Sequence, residues 1–358
     1  MQIDEIYVKR KIDYKNGKLF GYAENSFQSD DLKAARTIYG VLASSAFGDF
    51  KEVVALRPVD KITAEELTVI VKEAAALLRE CGLKVVIIVS DNNEVNRKLF
   101  NNLCGEDGFI CLVEMYEGIL TFCTFDSVHL IKSIRNNWLN ERDADKTFVY
   151  PHFEDLLKIC FAKFSILREI YKKEECLLVK TAPRLNFKTV YPTNLERQKV
   201  SLALNVWHES TIAAVKEHAG KMNETAVFLE IISQWWSIMN IRNQGTYIRK
   251  RNDLEKPFES VDDDRLHFME KFLERLKRWK PVKGNVGFLT EDTHSALCRQ
   301  TEVMIHFIKY ALTQLKIPYV LPGKIQTDML EKRYGRYRSM SGNNYNVSVV
   351  QVCLHQME

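Results

Sequence analysis

Residues 83–91, LKVVIIVSD, constrain this chain more than any other stretch. A strand with one solvated face alternates apolar and polar side chains, whereas this run is apolar from Val85 to Val89 and then stops at Ser90-Asp91. Such a strand must be covered on both faces, which is the situation of a parallel strand inside an α/β sheet. Its surroundings agree. Before it, TAEELTVIVKEAAALLRECG (63–82) has the period of an amphipathic helix, with Thr63 and Glu66 spaced as a capping box and Gly82 as a stop. After it come a short helix, NEVNRKLFNNLCG, a second buried strand, GILTFCTFD, and the helix VHLIKSIRNNWL. Upstream, IDEIYVKRKI reads as a strand that turns through Asn16-Gly17 into NGKLFGYAEN, and FKEVVALRPV reads as a third. Residues 31–47 are ambiguous. Three antiparallel-type strands followed by strand, helix, strand, helix describe a mixed α/β sheet.

From about residue 140 to 318 the texture changes to helical periodicity, in FEDLLKICFAKFSILREIY, ETAVFLEIISQWWSIMNIR, DDDRLHFMEKFLERLKRWK and HSALCRQTEVMIHFIKYALTQL. The expected organisation is an α/β domain over 1–139, an all-α domain over 140–318, and a return to the first domain over 319–358. A chain of 358 residues has room for that, and 46% hydrophobic with 27% charged residues is a globular composition. The net charge of +4 does not by itself mark a nucleic-acid binder. The basic clusters YIRKRND and KRYGRYR read first as solvated helix faces. Eight cysteines without a C-x-x-C pair suit a reduced, intracellular protein with no zinc module built on cysteine pairs. No apolar stretch approaches the ~18 residues of a membrane span, and the start is no signal peptide, so a nuclear or cytosolic location is expected.

Four carboxylates carry the chemical reading. Asp4 shares strand parity with Ile6 and Val8 and so points to an apolar side, while Glu5 and Tyr7 point the other way. A buried carboxylate needs a partner or a metal. Asp91 ends the apolar strand, at the sheet edge where α/β folds place ligands. Near the end, TDMLEKRYGRYRSMSGNNYN puts Asp328 and Glu331 three residues apart at a helix start. Alone, that pair reads as a capping box. Joined with two strand-borne acids, it is the layout of two-metal phosphoryl transfer, in which hard oxygens hold two ions about 4 Å apart. No GxxxxGK[ST] loop, HExxH helix or GxSxG elbow competes, and VKGNVGFLT (282–290) reads as a turn. Asp126 and His129 fit either a pair at the edge of the site or a helix cap beside a core histidine. Trp235 and Trp236 read as helix packing.

Four segments, IDEIYVKRKIDYKNGKLFGY, VIIVSDNNEVNRKLFNNL, TFDSVHLIKSIRNNWL and VLPGKIQTDMLEKRYGRYRSMSGNNYNVSV, resemble in that order the ribonuclease-H-like region of P-element transposases and their THAP-domain relatives. Between them, LLVKTAPRLNFKTVYPTNLERQKVSLALNVWHESTIAAV resembles the start of that family's helical, GTP-binding insertion. The resemblance implies a ribonuclease-H-like sheet interrupted by a helical domain and a DDE site in which Asp4, Asp91 and Glu331 hold Mg²⁺ (or Mn²⁺). Asp328 matches the aspartate that lies near the nucleotide, which implies GTP as a cofactor. The partners implied are DNA, as transposon ends and target, and further copies of the chain in the full-length protein. The compartment implied is the nucleus. Gly335, one turn after Glu331, leaves that face open, and Arg338 is placed to contact phosphate. The chain begins three residues before Asp4 and shows no cysteine pairs for a THAP finger. A fragment, a truncated product or a domesticated remnant that only binds DNA or protein is therefore expected alongside the catalytic core, and a nuclease acting on RNA hybrids is a third reading.

Overall fold

A computed structural model describes residues 1–356 except 16, 27–31, 107, 113–116, 140–142, 156, 221–222, 280–286 and 343–345. The chain divides into two units, Met1–Asp126 with Ile325–Glu358, and Ser127–Lys324.

The first unit is built on a five-stranded sheet. Its strands are β1 (Gln2–Tyr7), β2 (Thr37–Ser44), β3 (Lys51–Val59), β4 (Ile87–Ser90) and β5 (Phe122–Phe125), in the order β3-β2-β1-β4-β5. β1–β2 and β2–β3 are antiparallel, whereas β1–β4 and β4–β5 are parallel. The apolar run thus lies next to β1 with all four residues of β4 buried, as its composition requires. β2 comes from the ambiguous stretch 31–47. The segment NGKLFGYAEN, expected as the second strand, instead forms a separate hairpin, Asp13–Lys15 with Lys18–Phe20. Gly17 turns it at φ +77°, and Asn16 lies outside the described residues. The reason is charge: Lys9, Arg10 and Lys11 follow β1 and stay exposed, which a central strand pair would not permit.

Helix α1 (Ala64–Glu80) starts with the expected capping box, Glu66 N–H donating to Thr63 Oγ1 (3.2 Å) and Thr63 N–H to Glu66 Oε2 (2.8 Å). It packs against α2 (Glu94–Cys104). The Asp4 side of β1 and β2 is covered by α9 (Asp328–Met340) and α10 (Val349–Gln356), where Ile6, Ile38 and Leu42 bury Leu330, Tyr334 and Tyr337. Parity therefore places Asp4 on the helix-covered face, as its spacing from Ile6 and Val8 indicates. Ile3 on the opposite face is buried too, since the sheet is covered on both sides.

The second unit contains α3 (Ser127–Trp138), α4 (Ser165–Glu174), α5 (Glu209–Ala219), α6 (Glu224–Met239), α7 (Asp264–Arg278) and α8 (Glu291–Thr313), with shorter helices between them. It is not all-α: β6 (Thr147–Pro151) pairs antiparallel with β7 (Ile159–Lys163). FEDLLKICFAKFSILREIY, read as one helix, splits at Phe164 into β7 and α4. Cys160 and Ala162 are buried while Ile159 and Phe161 are exposed, a period of two hidden within an apolar stretch. An aromatic core of Trp138, Phe148, Phe164, Trp207, Phe228 and Trp279 holds the hairpin to the helices. Trp235 is fully buried with its indole N–H on Thr301 Oγ1 (3.1 Å), so it packs as expected. The turn expected at 282–290 lies partly outside the described residues; Gly287 has φ +75°. Among the described residues, no helix is long and apolar enough to cross a membrane.

Gly40 stands opposite Asp4 in the β1–β2 register, and a Cβ there would sit 2.2 Å from the Tyr334 hydroxyl. Gly40→Ala is therefore expected to lower stability by about 1–3 kcal/mol through overpacking, and adding Tyr334→Phe to restore part of the loss. Urea unfolding of the single and double variants reads this directly.

Candidate active site

The sheet carries two of the expected acids on neighbouring strands. Gln2 pairs with Val89 in the parallel β1–β4 ladder, with Asp4 two residues further along β1 and Asp91 just past the end of β4. Asp91 is oriented by Asn96, whose side-chain amide donates to Asp91 Oδ1 (2.5 Å) and to its carbonyl (3.3 Å). Asp4 Oδ1 accepts the Glu5 N–H (2.8 Å), and the Asp4 carbonyl accepts the buried Tyr334 hydroxyl (2.8 Å). On the opposite face, burial first and the charge of Asp91 second push the Glu5 carboxyl above its ordinary pKa, against hydrogen bonds from Tyr39 and Tyr7. Negative charge is thus concentrated at this edge.

The helix start differs from the capping box that its sequence suggests. The N-cap is Thr327, with helical backbone (φ −82°, ψ −2°) and no side-chain cap, so Asp328 is the first helical residue and Glu331 the fourth. Thr327 donates its hydroxyl to Asp126 Oδ2 (2.6 Å), and Asp126 is completely buried. The Leu330 N–H donates to the Thr327 carbonyl (3.0 Å) and also reaches Gln2 Oε1 of β1 (3.2 Å). The Glu331 N–H likewise donates to the Thr327 carbonyl (3.0 Å). Glu331 is exposed, and one of its carboxylate oxygens lies within 4.8 Å of one of Asp126. Gly335, on the same helix face, has nothing within 4 Å of where a side chain would start. Asp328 is partly exposed at the helix start.

Asp126 is the residue that sequence reasoning undervalued. It ends β5 as Asp91 ends β4, and that repeated strand-end position was the available signal. His129 follows three residues later on α3, in the second unit. Among the described residues, no group of three potential ligands within 4.8 Å of one another includes Asp4 or Asp91. The donor set at the edge, carboxylates with Asp126 oriented by a hydroxyl, is nevertheless of the hard-oxygen kind that Mg²⁺ and Mn²⁺ take.

The sheet order and the acids at its edge define a ribonuclease-H-like α/β protein, and comparison with known proteins agrees. Residues 1–104 match the family described as TNP-like, RNase H N-terminal domain. The transposable element P transposase of Drosophila melanogaster is 22% identical over 277 residues, which cover 74% of this chain and 34% of that protein. The chain therefore spans about a third of the length of this curated relative. The Drosophila P element transposase strand transfer complex contains a chain that superposes with a TM-score of 0.79 at 17% identity, over 99% of this chain and 74% of that one. By sequence and by fold, the chain is similar to the P-element-type transposase family.

Thr327→Val keeps the shape and removes the donor to Asp126. It is expected to cost about 1–3 kcal/mol, the penalty for depriving a buried acceptor of a partner. Glu331→Gln, at an exposed position, should stay within about 0.5 kcal/mol of the parent in the same denaturant titration. A comparable loss in both would return Glu331 to a structural role.

Proposed function

We propose that this chain is the catalytic core of a P-element-like DNA transposase, with the sheet over 1–139 and 319–358 and the nucleotide-binding insertion over 140–318. The observation that supports the reading is the pairing of β1 with β4, which carry Asp4 and Asp91 on neighbouring strands, together with the bonds from α9, the helix of Glu331, to β1. In this reading Asp4, Asp91 and Glu331 are the DDE carboxylates, and Asp126 supports Glu331. Bound Mg²⁺ or Mn²⁺ supplies charge neutralisation to the attacking and leaving oxygens of an in-line displacement. The protein's part is to hold the carboxylates on two rigid strands and a helix, and to leave the Gly335 face open for a DNA backbone. GTP is the nucleotide cofactor, with Asp328 as its candidate contact, the substrates are transposon ends and target DNA, the full-length protein assembles as a homo-oligomer, and it acts in the nucleus.

A second reading rests on the spacing of the acids. Because among the described residues neither Asp4 nor Asp91 joins a compact three-ligand group, a domesticated remnant would keep the fold for non-catalytic DNA or protein association. Relaxation of supercoiled plasmid in Mg²⁺ separates the two. Asp4→Asn, Asp91→Asn and Glu331→Gln are each expected to reduce nicking at least about 100-fold, the rate equivalent of several kcal/mol of lost charge stabilisation, with duplex affinity retained. DNA binding without metal-dependent nicking by the parent chain selects the remnant. Cleavage of an RNA–DNA hybrid but not of duplex DNA selects a hybrid nuclease.

A further inference from the structure

The segment that follows β1 is unused by the active site and is strongly basic. Lys9, Arg10, Lys11, Lys15 and Lys18 are all exposed, and the neighbouring acid, Asp13, pairs with Lys11. Lys9, Lys11 and Lys15 line a cleft of about 340 Å³ whose other wall is Ser348, Val350 and Gln351 at the start of α10. That wall is fixed in place: Lys9 N–H donates to the Val347 carbonyl (2.8 Å), and Val8 bridges to Val347. Ser348 and Gln351 cap one another, Ser348 N–H on Gln351 Oε1 (2.9 Å) and Gln351 N–H on Ser348 Oγ (3.3 Å). The amides of Val349 and Val350, in the first turn, have no acceptor within their own helix. Tyr14 stands at the rim, 74% exposed.

We propose that this cleft is a docking notch for the phosphate backbone of duplex DNA flanking the scissile bond, an inference that rests on the DNA-processing reading above. Lys9 and Lys15 line the cleft with the Lys11–Asp13 ion pair, opposite a helix start, so the net charge of its lysine wall is positive and both features favour anions. An exposed tyrosine beside lysines adds a flat surface for deoxyribose, and phosphate contacts of this kind position a duplex without reading its sequence. Lys9 lies five residues beyond Asp4 and two past the end of β1, so at 3.3 Å per residue the two are at most about 16 Å apart, roughly five base-pair steps of duplex at 3.4 Å each. The notch therefore lies within about five base pairs of the carboxylates.

The test uses the full chain and a fluorescent duplex, with affinity read by anisotropy between 50 and about 300 mM salt. Lys9→Gln with Lys15→Gln removes two phosphate contacts, so the slope of log affinity against log salt should fall by about 1.8 and affinity at 0.1 M salt by about tenfold or more. Lys9→Arg with Lys15→Arg should keep both near the parent values, which separates lost charge from lost folding. Shortening the duplex to fewer than about five base pairs on the notch side should erase the difference between parent and Gln variant. An unchanged slope in the Gln variant, with Mg²⁺-dependent nicking intact in the parent, overturns the notch and leaves the function standing. Absence of both duplex binding and nicking in the parent overturns both.

Discussion

The docking of α9 on β1 is the contact on which the rest of the first unit depends. Beside the apolar contacts of Leu330, Tyr334 and Tyr337, it uses polar groups that sequence spacing does not advertise. Gln2 is buried, and its side-chain oxygen accepts the Leu330 N–H, which it shares with the Thr327 carbonyl. One turn later the Tyr334 hydroxyl reaches the Asp4 carbonyl through the space left by Gly40. Buried donors and acceptors of this kind contribute modestly when made and cost about 1–3 kcal/mol when left unmade. They therefore fix register more than they add stability. A one-residue slip of β1 would turn Asp4 to the other face and break both bonds together.

The same logic explains why the α9 start departs from its apparent capping box. Thr327 has the residue type of an N-cap but helical backbone angles, and its hydroxyl is committed to Asp126. A carboxylate buried as fully as Asp126 requires hydrogen bonds. The Thr327 carbonyl still accepts the Leu330 and Glu331 N–H groups, and the sheet adds Gln2 Oε1 as a second acceptor for Leu330. The fourth helical position holds a glutamate that is exposed next to a strand-end aspartate.

Much of the sheet was legible because its signals are local. The β4 run, the Thr63–Glu66 box and the apolar period of α1 each determine their own structure within one window. β2 was not legible, since residues 37–44 mix Gly40, Tyr39 and Ser44 among aliphatic residues, and only their neighbours on both sides make them a central strand. β7 was missed for the opposite reason. Five residues of alternation, Ile159–Lys163, run directly into an amphipathic helix, so a longer window averages the two periods into one. At the candidate site, Asp4 and Asp91 could be placed by parity and by strand ends. The closeness of Glu331 to Asp126 could not, because it depends on a helix that returns to the sheet only after the whole second unit.

That return sets a problem in chain entropy. Asp126 and Thr327 are 201 residues apart in sequence and 2.6 Å apart between oxygens. Closing an unstructured loop of that length would cost about 4–5 kcal/mol, growing only logarithmically with length. A single neutral-to-charged hydrogen bond, at about 1.5–3 kcal/mol, does not offset it. The second unit has an aromatic core of its own, so the intervening chain is ordered by its own contacts and not by this bond. The Asp126–Thr327 bond lies where the chain leaves the first unit and where it re-enters it. It can therefore be weak and still close the sheet unit.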